Sequence, residues 1–338
     1  MKLVKINVLD YAVIDENQKA EDALKETVRL AQKAEALGYH RFWMAEHHDV
    51  YAFQSSSPEM MMMHLLGQTK SIKLGSGGVM IPHYSALKIA ENFRMMENLY
   101  PGRIDLGIGN NSGTPQVKEA MHTEDTPLPY KTHISDIKKF VTNEDDPDHH
   151  LNHVTANPTG DSNPEMWVLS TSMKSAKMAG QLGIGYVFGL FPYASSDKTD
   201  LGKRSLKIYR ENFTPSKVMS KPGTMIAPFV VVHDTNEEAY ELAEALDVWL
   251  LGKNNFSEFK SFPSVETARK YNYTKEDVEK IKSNRTRMVV GDAKSVKEQL
   301  MALVDKIEPD ELMLIPLMPG AENRHRALEL IAKEFNLK

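Results

Sequence analysis

The chain has 338 residues, 41% of them hydrophobic, so it can bury a substantial core. Its net charge is −5 with a pI near 6.2, and no basic stripe is present, which argues against a nucleic-acid or anionic-membrane binder. With no cysteine, disulfides, thiolate nucleophiles and sulfur-ligated metals are excluded.

Residues 3–9 alternate like a strand, with Asp10 at its exit, and lack the apolar core of a signal peptide. No apolar run reaches membrane-spanning length, so the expectation is a soluble cytoplasmic protein. The spacing of Leu24, Val28, Leu30, Ala31, Ala34 and Leu37 predicts an amphipathic helix over 20–37, stopped by Gly38. Phe42 to Ala45 then reads as a short buried strand that ends in Glu46-His47-His48. Helix, glycine, buried strand and polar residues form the rhythm of a parallel α/β fold, whose chemistry sits where strands end. A lone histidine there more often caps or packs. Three ionisable groups in a row mark a candidate site.

Ser55-Ser56-Ser57-Pro58-Glu59 reads as a helix start with a serine cap, and Met60 to Met63 as adaptable core filler within that helix. Residues 72–82 form a third strand, whose internal glycines imply close approach of a ligand or another backbone. A helix over 85–100, the turn Pro101-Gly102 and a fourth strand over 103–108 follow. Gly107-Ile108-Gly109-Asn110-Asn111-Ser112-Gly113 spaces its glycines one residue too wide for a dinucleotide fingerprint. At most a short helix follows it, at Thr114-Pro115-Gln116.

The pattern then fails over about 112–165. Prolines 127, 129, 147, 158 and 164 and the run Glu144-Asp145-Asp146 mark a long insertion holding one helix, near 130–141. His149, His150 and His153 lie in it with no strand or helix to hold them, and read as solvated rather than metal-binding. After strand five, 166–170, Thr171-Ser172-Met173-Lys174-Ser175 places hydroxyls at a helix N-terminus. That arrangement suits a phosphate as well as a simple cap. Strand six spans 185–188, and a second insertion, about 191–224, carries a helix near 201–212. Strand seven spans 225–232, followed by a helix over 236–251. A third, polar insertion, about 252–286, precedes 288–291 and a helix over 293–307. Strand eight is 311–315, and a helix over 321–335 closes the chain. Eight strands alternating with helices, with no composition break, predict one (β/α)8 TIM barrel over residues 1–338, an α/β fold enlarged by loops.

Ala45-Glu46-His47-His48, the run from Gly75 to Tyr84 (GSGGVMIPHY) and the run from Tyr100 to Gly107 (YPGRIDLG) occur in this order, each at a strand end. In these motifs the chain resembles the bacterial-luciferase-like flavin-dependent monooxygenases, in particular a branch with an EHH strand end and a GSGGVM-PHY strand. The likeness runs from the first strand to Asp310-Glu311-Leu312-Met313. It implies a barrel that takes reduced FMN from a separate reductase and uses dioxygen to oxygenate a small organic substrate. It implies a catalytic role for His47, with His48 and Glu46 beside it. It implies a non-prolyl cis peptide at Gly77-Gly78 under the flavin ring, and Ser172 and Ser175 as the hydroxyls on the FMN phosphate.

One departure stands out. Where relatives usually carry an arginine to the phosphate, this chain has Asn110, which leaves FMN and a deazaflavin both open; Lys174 is the candidate replacement. The resemblance also implies a homodimer, for which the 85–100 helix offers Phe93, Met96 and Leu99. The rival readings are a deazaflavin- or FMN-dependent oxidoreductase on the same barrel, a non-catalytic flavin-binding relative, and a metal-dependent hydrolase. The last would draw on His47, His48 and His83, although the first strand ends in a lone Asp10. No metal is expected. The insertions at 112–165 and 191–224 are the expected lid and specificity elements.

Overall fold

The computed structural model describes residues 4–123, 128–191 and 198–338. Strands β1 (Lys5–Asp10), β2 (Arg41–Met44), β3 (Lys73–Ser76), β4 (Val79–Met80), β5 (Ile104–Gly109), β6 (Glu165–Ser170), β7 (Gly185–Gly189), β8 (Thr224–Ala227), β9 (Phe229–His233), β10 (Met288–Asp292) and β11 (Glu311–Leu314) follow in chain order. Parallel pairing runs β3-β2-β1-β11-β8-β7-β6-β5, and β5 closes the ring on β3 through Leu74–Ile104 and Gly75–Asp105. Helices lie between the strands, so this is the (β/α)8 TIM barrel that the alternation predicts. Strands covered on both faces read as continuous apolar runs, and Phe42, Trp43, Leu74, Leu106, Val168 and Phe188 are accordingly buried. Trp43 and Trp167 meet edge to face inside the ring, 6.1 Å between ring centres.

The floor of the barrel, at the strand starts, is ionic. Arg41 Nη1 donates to both carboxylate oxygens of Asp105 at 2.7 Å, and Arg41 Nε donates to Glu311 at 3.0 Å. Glu165 lies 3.0 Å from Arg41 and accepts from Lys73 at 2.6 Å. Trp43 Nε1 donates to Asp105 at 2.9 Å, and Asn7 donates to Glu311 at 2.9 Å. Six strands are tied together by charge at the end opposite the site described below.

Several elements depart from their sequence reading, each for a physical reason. Strand seven is two strands, β8 and β9, because Pro228 has no N–H to continue the ladder. Phe229 still bridges to Ile315, but β9 pairs with β10 in a two-stranded annex outside the ring. In the helix Ala86–Leu99, the spacing of Ile89, Phe93 and Met96 turns those side chains into the core. Phe93 and Met96 are therefore no part of an outer surface; the exposed apolar groups there are Met95 and Leu99, the latter 58% exposed. In the helix Pro58–Gln68 only Met62 of the methionine run is fully buried, and Met60 is 75% exposed. That helix has Ser57 at its start without a side-chain cap, while Ser55 is buried.

The third insertion is structured beyond its reading. It holds the helices Val265–Arg269 and Lys275–Arg285, each capped by a hydroxyl, Ser264 and Thr274. Part of the 191–224 insertion, residues 192–197, lies outside the described residues, as do Leu3 and Pro127. Among the described residues no helix is long and apolar enough to cross a membrane.

Candidate active site

The ends of β1 and β2 are stitched before they diverge, Ala45 N–H donating to Asp10 O at 2.9 Å and Gly77 N–H to Met44 O at 2.6 Å. Asp10 itself accepts from Thr27 Oγ1 at 2.6 Å and Ala12 N–H at 3.1 Å, so its role is to fix the chain's exit. Glu46, two residues beyond β2, is buried and organises three neighbours. Its carboxylate accepts from Met80 N–H at 2.9 Å, from the Tyr84 hydroxyl at 2.8 Å and from His48 Nε2 at 2.8 Å. Burial, and then the Glu46 charge, push the Tyr84 phenol up, so it stays protonated and donates.

His47 points differently. Its ring stacks on Tyr11 at 5.2 Å and tilts against Phe53 at 5.3 Å, while its backbone N–H donates to Ser55 O at 3.0 Å. Burial, helped by the neighbouring His48, pushes the imidazole down to about 4. His47 is therefore neutral across the physiological range. A proton-NMR titration should place its midpoint near pH 4; a midpoint near the ordinary value of about 6.5 would show that the ring is solvated.

The Gly77–Gly78 peptide bond is cis. Packing demands Gly78, where a Cβ would stand 2.8 Å from the Gly107 backbone; one on Gly77 would stand 2.4 Å from Leu9 Cδ1, a side-chain end that can shift. Of the two close approaches that the strand-three glycines implied, the backbone and side-chain one is seen here.

Two cavities open at the carboxyl ends of the strands. The first, about 450 Å³, holds His47 and His48 with Tyr11, Phe53, Met80, Phe229, Trp249, Phe256 and Leu317. The second, about 670 Å³, is lined by Asn110, Tyr130, Lys131, Met173, Lys174, Ser175 and Lys177. Asn111 lines the first and Asn110 the second, so the residues just beyond β5 stand between them. At the second, Ser172 caps the helix Met173–Leu182. Its Oγ accepts from Ser175 N–H at 3.1 Å and lies 3.0 Å from Ser175 Oγ.

The expected site residues thus fall into two groups, His47 and His48 in one cavity, Asn110 and Ser175 in the other, with Ser172 beside the second. Glu46, Gly77 and Gly78 line neither. Sequence reasoning missed Tyr11, Phe53 and Trp249. It also missed the part played by the third insertion, whose Gly252, Asn255 and Phe256 help wall the first cavity. The signals existed: Tyr11 directly follows the first strand's Asp10, and Trp249 lies three residues before the break at Gly252. His47, His48 and His83 do not converge on one point for an ion. Among the described residues, ligand atoms come that close only at Asp136/His149/His150 and at His233/Asp234/Glu238.

The fold is thus a closed parallel barrel with a neutral histidine in an aromatic cavity and hydroxyls at a neighbouring helix start. The chain belongs to the luciferase-like monooxygenase family, whose model matches residues 5–307. It is 38% identical over 336 residues to the uncharacterized protein YwcH of Bacillus subtilis, covering 98% of this chain and 99% of that one. It is 30% identical to the N-acetyl-S-alkylcysteine monooxygenase of the same organism, covering 98% of each. Among solved structures, apo-MsnO8 superposes with a TM-score of 0.85 at 27% identity over 99% of both chains. The oxygenating constituent of 3,6-diketocamphane monooxygenase from Pseudomonas putida, solved with FMN, gives 0.69 at 18% identity over 98% of both. An F420-dependent secondary alcohol dehydrogenase gives 0.67 at 16% identity over 98% of both. The last two likenesses concern the fold alone.

Proposed function

We propose that the protein is an FMN-dependent monooxygenase that receives reduced FMN from a separate flavin reductase and oxygenates a small organic substrate. The observation that carries this reading is the pair of cavities flanking Asn110–Asn111, one lined by Ser175, Lys131, Lys174 and Lys177 among apolar side chains, the other aromatic and holding His47. When bound, the reduced flavin supplies the electrons that activate dioxygen, one atom of which passes to the substrate.

The chain's own residues divide the remaining work. Ser175, the cap hydroxyl of Ser172 and the helix N–H groups suit an anionic tail. Lys131 and Lys177 join Lys174 as cations lining that cavity, so the charge of the missing arginine has three candidate replacements. In the other cavity Tyr11, Phe53, Phe229, Trp249 and Phe256 exclude water and favour a largely apolar substrate. His47 holds or passes a proton at a ring nitrogen, for which a neutral imidazole is suited. Glu46 acts by holding Met80, Tyr84 and His48 in place. With one relative named for N-acetyl-S-alkylcysteine, such S-alkyl compounds are the first substrates to try.

Removing both hydroxyls, Ser172→Ala with Ser175→Ala, should weaken FMN by at least about tenfold, since a hydrogen bond to a charged group contributes roughly 1.5–3 kcal/mol. Riboflavin, which has no phosphate, should bind as before. Equal losses for the two ligands would reduce these serines to helix caps.

The neutral Asn110 favours one second reading, a deazaflavin-dependent oxidoreductase using the same cavities without oxygen chemistry. A homodimer is also proposed, built on exposed Met60, Met95 and Leu99 rather than on the buried Phe93 and Met96. Light scattering at micromolar concentration should give twice the chain mass; a monomer there ends that proposal.

A further inference from the structure

His149 and His150 are not loose in solvent. The segment that carries them is held to the helix Tyr130–Thr142. Lys139 Nζ donates to the carbonyls of Leu151, at 2.9 Å, and Val154. Asn143 exchanges hydrogen bonds with Ala156 at 3.0 and 3.2 Å, and Arg94 Nε donates to Pro158 O at 2.7 Å. The two imidazoles stack, 4.8 Å between ring centres, and both turn Nε2 towards Asp136 of that helix. His150 Nε2 lies 2.8 Å and His149 Nε2 3.3 Å from the same carboxylate oxygen.

Asp136 is 1% exposed, and among the described residues no lysine or arginine pairs with it. A buried carboxylate is costly unless a cation stands beside it. Two histidine nitrogens and one carboxylate oxygen, with all ligand atoms within 4.8 Å of one another, are the donor set of a zinc-type site with its fourth position left to water. We propose that Asp136, His149 and His150 bind one divalent transition-metal ion, zinc or a zinc-like ion, which clamps the 143–164 segment onto this helix.

The geometry needs little change. Ligands about 2.0–2.1 Å from a tetrahedral ion stand roughly 3.3 Å apart. The His149–Asp136 separation already has that value, and the more exposed His150 ring must back away by a few tenths of an ångström. Each imidazole must present a lone pair at Nε2, so its ring proton moves to Nδ1. For His149 this gives up the 3.1 Å hydrogen bond from Leu151 N–H, which coordination replaces. The site is structural in place. It lies on the helix whose first residues, Tyr130 and Lys131, wall the second cavity, so the ion stiffens that wall without touching a ligand there.

The test uses the full chain stripped by a chelator, with Zn²⁺ followed by calorimetry and Co²⁺ by its visible absorption. One ion per chain should bind, and Zn²⁺ should raise the melting temperature. Asp136→Asn and His150→Ala should each cost at least the roughly 100-fold that even outer-sphere changes can reach, and abolish the thermal shift. His150 is the more exposed partner, so its variant remains informative if Asp136→Asn fails to fold. His233→Ala, in the other cluster, should change nothing. Absence of Zn²⁺ binding below millimolar concentration, undiminished binding in His150→Ala, or loss in His233→Ala would each overturn the assignment.

Discussion

Asp105→Ala should cost about 3–5 kcal/mol of folding stability, the usual penalty for stripping one partner from a buried ion network. Asp105 is fully buried at the barrel floor, accepts from Arg41 and Trp43, and lies 3.3 Å from the Lys73 ammonium. Its removal leaves the buried Arg41 guanidinium with Glu311 and Glu165 alone, and orphans the Trp43 N–H. Burial by itself would push the Asp105 carboxyl up, but the charges of Arg41 and Lys73 outweigh it and hold the group below its ordinary value of 3.8. The sign for acid follows. Because the folded value is the lower one, the stabilisation is complete above pH 4 and fades as pH falls further. Denaturant unfolding of the variant at pH 7 checks the magnitude. A loss under about 1 kcal/mol would mean that the floor charges are solvated and contribute as weakly as surface pairs.

The strand order was legible because each buried strand carries a short apolar run closed by glycine, proline or a polar exit. Phe42 to Ala45 before Glu46 is the clearest case, and β1, β5, β6 and β7 follow the same rule. Pattern alone did not split the seventh strand, since Met225 to Val232 is apolar throughout and one proline decides the matter. Nor did it assign Phe93 and Met96, because an apolar stripe on a helix has the same spacing whether a core or a partner covers it. The cavity with His47 was half legible. The histidine stands in a motif, but Tyr11 and Trp249 reach it from distant strand and helix ends that only the closed ring brings together. The pairing of His149 and His150 with Asp136 was illegible for a like reason. The aspartate lies one residue type among many on a helix, 13 and 14 positions away in number but adjacent once the loop folds back.

His47→Ala should lower substrate oxygenation by roughly 100- to 10,000-fold, the range over which a positioned proton donor or acceptor contributes. Flavin affinity should change far less, because the serines and lysines of the second cavity are untouched. The loss should fall on kcat more than on KM, since the ring acts on the reacting centre rather than on uniform binding. The His47→Asn variant keeps a polar side chain at the cavity wall and separates loss of the proton function from loss of the stacked ring on Tyr11 and Phe53. If the alanine variant loses flavin and turnover equally, His47 is a packing residue.

One titration tests both which cofactor the two cavities hold and whether oxygen is consumed. Oxidised FMN, reduced FMN and reduced deazaflavin would each be titrated anaerobically into the wild-type protein, after which oxygen would be admitted with an S-alkyl substrate and its uptake followed. The expected result is preferential binding of reduced FMN, with one oxygen atom recovered in the product and uptake that depends on substrate. Tight binding of reduced deazaflavin in place of FMN, with no oxygen uptake, would contradict it.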